Sequence, residues 1–184
     1  MVKHHMLTLL TSALALFPAC TDGDSTSNAE VSVARGGYIL HPPEAERLVG
    51  ANGEVAILAS PATGSPHFAM GTQLLRSGTS IPVHRHEYAD EAFFVHAGTG
   101  LGIVGETRTT LQEGDAIYVP RGVWHGFEAD THDLRVVWFI APPGLEEFFR
   151  ETRVPPGTPL RAFTPEQMEQ IGLRHGIRNE DERR

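Results

Sequence analysis

Two blocks of the chain have residue types and spacings suited to holding a metal ion. In the first, Gly78 is followed after five residues by His84, after one by His86, after four by Glu91 and after six by Gly98. In the second, Gly114 is followed after five residues by Pro120, after one by Gly122 and after two by His125. Alternation along a strand puts His84 and His86 on one face, Glu91 with Phe93 and Val95, and His125 with Phe127. If these faces point into one interior, the imidazoles and the carboxylate converge. Such mixed nitrogen and oxygen ligation suits one divalent transition metal ion: iron, manganese, nickel, copper or zinc. A divalent ion held by neutral imidazoles and a single carboxylate keeps a net positive charge. It therefore favours an anionic oxygen, such as an enolate, a deprotonated hydroxyl or a carboxylate.

The elements that must position these residues are short. From Gly37 onward apolar runs are broken by turn residues, and 19 Gly with 13 Pro favour many turns over long helices. Candidate strands cover 47–51, 54–59, 67–75, 91–96, 101–104, 107–111, 115–119, 125–129 and 134–141, the spacing of an all-β sandwich or barrel. Asn52-Gly53 reads as a two-residue hairpin turn, because both central positions need positive φ. Val119-Pro120-Arg121-Gly122 reads as a type I turn with Pro at its second position. On 67–75, Phe68, Met70 and Leu74 share a parity expected to face the core, as do Leu134, Val136, Trp138 and Ile140 on the last strand. Two helices follow. Leu145, Phe148 and Phe149 make one apolar stripe able to cover the sheet. Thr164, Pro165 and Gln167 form a capping box, Phe163 and Met168 a hydrophobic staple, and Gly176 a stop. The closing RNEDERR reads as a solvated tail.

Other residues get plainer readings. His96 has the opposite parity to Glu91 and should point outward. His41, His67 and His132 have no partner spacing, and His175 reads as a cation at a helix C-terminus. Tyr88 and Asp90, between His86 and Glu91, are candidates for moving a proton. Phe68, Met70, Phe93, Phe127 and Trp138 are candidates for lining a substrate pocket, or for plain core.

Charge and composition exclude other roles. The chain of 184 residues has 15 Lys+Arg against 23 Asp+Glu, a net charge of −8, with no basic run. The cation footprint that nucleic-acid binding needs is therefore missing. One Cys cannot close an intramolecular disulfide. Residues 1–20 begin with a basic Lys3, continue with an apolar run from Met6 to Phe17 and end at Cys20, the architecture of a signal peptide. Twelve apolar residues are too few to span a ~30 Å hydrocarbon core. Ala19-Cys20 resembles a bacterial lipoprotein processing site, although Phe17 and Pro18 depart from its usual pattern. That resemblance implies a lipidated Cys20 and an exported, envelope-anchored protein on the periplasmic side, attached to the membrane through the lipid alone. Residues 21–36 read as a flexible linker.

The two glycine-bracketed blocks, separated by residues 99–113, resemble the two signature motifs of the cupins. The segment Pro143-Gly144-Leu145-Glu146-Glu147-Phe148-Phe149 resembles the tail of small single-domain, quercetinase-like cupins. The resemblance spans about 37–161 and implies a cupin jelly-roll barrel with short C-terminal helices. The barrel and its covering helix would occupy 37–162, and a helix with a charged tail 163–184. It implies a metal held by His84, His86, Glu91 and His125, with Glu91 also taking up a substrate proton. It further implies a small anionic or enolisable substrate, a homodimer, and dioxygenase chemistry on an enolisable or hydroxylated aromatic compound. Where the second motif usually ends in Asn this chain has Ala129, which is not a ligand position. Two alternatives stand beside the dioxygenase. One is a metal-dependent isomerase or lyase. The other is a lipoprotein that binds a metal or small acid without turnover.

Overall fold

The computed structural model describes residues 37–180. The signal segment 1–20 with Cys20, the linker 21–36 and the last four tail residues lie outside the described residues. Strands β1 (Glu46–Gly50), β2 (Gly53–Ala59), β3 (Ala69–Leu75), β4 (Ser80–His86), β5 (Asp90–Ala97) and β6 (Gly100–Val104) come first. They are followed by β7 (Thr107–Leu111), β8 (Ala116–Val119), β9 (His125–Ala129) and β10 (Leu134–Ala141). Helices α1 (Leu145–Thr152) and α2 (Pro165–Arg174) precede a last strand, β11 (Ile177–Asn179). The strands form two antiparallel sheets, in the orders β1-β2-β3-β10-β5-β8 and β11-β4-β9-β6-β7. The all-β expectation holds. The sheets are two layers rather than the closed barrel expected, and no helix among the described residues is long and apolar enough to cross a membrane.

Trp138, Phe127, Leu134, Ile140, Val55 and Val95 are at most 1% exposed and fill the core. On β10 the inward parity is the expected one: Leu134, Val136, Trp138 and Ile140 are buried. On β3 it is reversed. Ala69, Gly71, Gln73 and Leu75 point inward, while Met70 and Leu74 lie on the other face and Phe68, just before the strand, stacks on the exposed Phe139 at 4.8 Å. The reason is Trp138 opposite. A Cβ on Gly71 would come within 2.5 Å of its ring and 2.0 Å of the Ala56 carbonyl oxygen, so the inward position facing that ring must be glycine. Apolar periodicity therefore points the wrong way here.

Three local readings shift. The β1–β2 hairpin pairs Gly50 with Gly53, so the turn residues are Ala51 and Asn52, one position earlier than expected. The Pro120 turn closes through Val123 N–H donating to the Pro120 carbonyl at 3.1 Å, which puts Pro120 first and Gly122, at φ +77°, third. That positive φ at the third position is the type II pattern. Arg178 and Asn179, the start of the tail expected to be solvated, instead join Ile177 in β11, which pairs Ile177 with His86 and Asn179 with His84. The α2 reading stands as expected. Gln167 N–H donates to Thr164 Oγ1 at 3.2 Å, and Thr164 N–H to Gln167 Oε1 at 2.9 Å.

Candidate metal centre

Both sheets contribute ligands. His84 and His86 lie on β4 and His125 on β9, while Glu91 comes from β5 in the facing sheet. Between Ile81↔Phe127 and His84↔His125 the β4–β9 register slips, so β4 carries an extra residue at Pro82-Val83. A β-bulge of this kind re-aims the next side chain, and proline, which cannot donate to the ladder, is tolerated there. The bulge packs closely on Gly126, where a Cβ would come within 3.0 Å of the Ile81 carbonyl oxygen. The freed Pro82 carbonyl accepts a hydrogen bond from His84 Nδ1 at 2.8 Å, and the Val123 carbonyl accepts one from His125 Nδ1 at 3.0 Å. Both bonds place the ring proton on Nδ1 in the neutral imidazole. Nε2 is then left as a lone-pair donor.

Those lone pairs converge. Nε2 of His86 and Nε2 of His125 each lie 3.1 Å from Oε2 of Glu91, and the ligand atoms of all four residues lie within 4.8 Å of one another. A neutral His125 with its proton on Nδ1 cannot donate to the carboxylate, so at this distance the facing atoms need either a proton on Nε2 or a cation between them. The separation suits one: two ligands at ~2.1 Å from an ion and at right angles to each other sit about 3 Å apart. His86, Glu91 and His125 are at most 4% exposed. Burial, then the neighbouring His125 and His86, pull the His84 imidazole down to about 3. Burial alone would raise the Glu91 carboxyl, but the His125 and His86 imidazoles outweigh it and hold it at about 2. At neutral pH the cluster is thus an ionised carboxylate beside a neutral His84, the protonation states ligation needs.

The loops between ligands are tied together. Gly122 N–H donates to the His86 carbonyl at 2.7 Å, and the Arg121 backbone and guanidinium bind Asp90 at 2.9 to 3.1 Å. Asp90, held below the usual carboxylate range by Arg121, is a latch between the two motifs rather than a proton carrier. Tyr88 is 69% exposed and packs over Gly176. His96, His41, His67 and His132 are exposed, and His175 caps α2 while facing Glu151 at 2.8 Å.

A cavity of about 660 Å³ opens beside His84 and Glu91. Phe93 lines it, with Phe148 and Phe149 of α1, Leu160, Phe163 and Arg153. Of the other expected pocket residues, Phe127 packs edge-on against Phe93 at 4.6 Å on the core side, and Trp138 packs against Phe149 at 5.6 Å. Neither lines this cavity, and Phe68 and Met70 lie on the opposite face of β3. Gln73 and Arg153, which do line it, belong to no motif. Their signal in the sequence was at most a polar residue within an apolar stretch.

A family model for the cupin domain matches residues 71–141. An uncharacterized protein of Streptomyces coelicolor is 35% identical over 77 residues, covering 42% of this chain and 72% of that protein. The chain carries a cupin domain. Another relative, a quercetin 2,3-dioxygenase of Bacillus subtilis, is 28% identical over 136 residues, or 72% of this cupin. The match spans only 39% of that enzyme's length. Among solved structures, KdgF from Halomonas sp. superposes with a TM-score of 0.53 at 22% identity, covering 58% of this chain and 94% of that one. That likeness concerns the fold, and it agrees with the jelly-roll strand arrangement of this cupin.

Proposed function

We propose that this cupin binds one divalent transition metal ion through His84, His86, Glu91 and His125 and acts as a dioxygenase on a small enolisable or hydroxylated aromatic substrate. The observation that carries the reading is the opening of this ligand cluster onto a largely apolar cavity of about 660 Å³, within the range usual for small-molecule sites. The similarity to a quercetin dioxygenase supports the choice of chemistry. When bound, the metal supplies Lewis acidity to a substrate oxygen and, if redox-active, a route for electrons to dioxygen. The protein does the rest. His84 and His125 are held in one tautomer by backbone carbonyls, so their geometry is set before substrate arrives. Glu91 is ionised at neutral pH and takes the substrate hydroxyl proton at Oε1, the oxygen turned away from the two imidazoles. Phe93, Phe148 and Phe149 exclude water and face a planar ring.

Oxygen uptake tests this, with flavonols, diketones and catechols offered to protein loaded in turn with iron, manganese, nickel, copper or zinc. Uptake with a redox-active ion, lost in Glu91→Gln while part of the metal remains, supports the reading. Product without oxygen uptake makes the protein an isomerase or lyase, and tight ligand binding without any product makes it a binding protein. The proposal extends to export, to a lipid on Cys20 as the only membrane attachment, and to a homodimer. Cys20→Ser should release the protein from membranes, and sedimentation velocity reads the dimer.

A further inference from the structure

A buried arginine lies beside the cavity. Arg153 follows α1, where its N–H donates to the Phe149 carbonyl at 2.9 Å and the next residue, Val154, bridges Val49 of β1. Its side chain turns inward and is only 8% exposed. The guanidinium donates from Nη1 to the Gly53 carbonyl at 3.2 Å and from Nη2 to Asn52 Oδ1 at 3.0 Å, and lies over the Phe149 ring at 5.5 Å. Every one of these partners is neutral. Arg47, Arg121, Arg135, Arg150, Arg174 and Arg178 each face a carboxylate, whereas among the described residues none pairs with Arg153.

A buried charge without a counter-charge costs several kcal/mol in general, so proteins keep one only where something compensates it. Burial draws this guanidinium down to about 10, yet it remains a cation at neutral pH. Its place is built rather than incidental. A Cβ on Gly50 would come within 2.8 Å of Nη1, so the glycine makes room for the guanidinium without needing a special φ. A guanidinium has five N–H donors, of which these two bonds use two. Arg153 also lines the cavity that His84 and Glu91 line.

We infer that Arg153 is the anion anchor of this cavity, and that the molecule the cavity takes carries a carboxylate in addition to the oxygen it presents to the metal ligands. The inference rests on the reading of the cavity as a substrate chamber and narrows the substrate class to hydroxylated or enolisable acids. A planar carboxylate suits the guanidinium fork, and the aromatic walls suit the body between the two polar ends.

The test is calorimetric binding of 2-hydroxybenzoate and its uncharged counterpart 2-hydroxybenzamide, to metal-loaded and to chelator-treated full-length protein. In the chelator-treated protein the acid should bind at least about tenfold tighter than the amide, the worth of one charge-assisted hydrogen bond. Arg153→Gln should abolish that preference, Arg153→Lys should keep part of it, and Arg161→Gln, at the exposed cavity rim, should keep it all. Gly50→Ala, which pushes the guanidinium aside but leaves the charge, should shrink it, and serves if Arg153→Gln does not fold. Equal or absent binding of the two probes by the wild type, or a preference that survives Arg153→Gln, overturns the inference. So does a preference lost in Arg161→Gln alone. Because no oxygen or turnover enters the measurement, failure of the dioxygenase reading leaves this result standing, and the reverse also holds.

Discussion

Acid should act on His84 and Glu91 in the same direction. Folded, His84 is held at about 3, against 6.5 for the ordinary imidazole, so between these values the unfolded chain binds the extra proton and stability falls as pH falls. Glu91, at about 2 folded against 4.5, contributes stability that is whole above 4.5 and is lost as pH drops toward 2. Chelator-treated protein should therefore lose melting temperature steadily from pH 6.5 down to 3, and His84→Ala should flatten the part between 6.5 and 4.5. Thermal melts across that range check it. Metal content gives a second readout at the same scale. His84→Ala and His125→Ala should each reduce the ion from about one per chain to a small fraction, while His96→Ala, exposed and on the outer face of β5, should leave it unchanged by elemental analysis.

Elements differ in how openly the sequence announces them. The box at Thr164 is local, since every partner lies within three residues, and Thr164→Ala should cost about 1 kcal/mol in chemical denaturation. The four ligands are legible for a similar reason, because alternation over one or two residues places each of them. What hides is anything decided by a neighbouring strand. The inward parity of β3 is set by the Trp138 ring against Gly71, so Gly71→Val should destabilise by about 1 to 3 kcal/mol although valine is the better strand former. The bulge at Pro82 exists only relative to β9, and β11 has three residues, too few for any period to register. Arg153 is hidden most deeply. Its meaning depends on Gly50, Asn52 and Gly53, about a hundred residues earlier in the chain.

For the molecule as a whole, stability should divide between the core and the metal. Trp138→Ala should cost about 3 to 5 kcal/mol, whereas Trp138→Phe should cost much less, since the indole Nε1 it removes is buried without a hydrogen-bond partner. Free metal at a hundred times its dissociation constant should add about 2.7 kcal/mol to unfolding in the wild type and none in His84→Ala, as denaturant titration reads. The pairing of β11 with the ligand strand also sets an order of events during synthesis. Ile177 and Asn179 flank His86 and His84, and the Gly176 carbonyl accepts from Glu87 N–H at 2.8 Å. All four ligands leave the ribosome before the strand that closes their edge exists. Until residues 177–179 fold back, β4 is a bare sheet margin beside the ligand imidazoles, open to pairing with another chain.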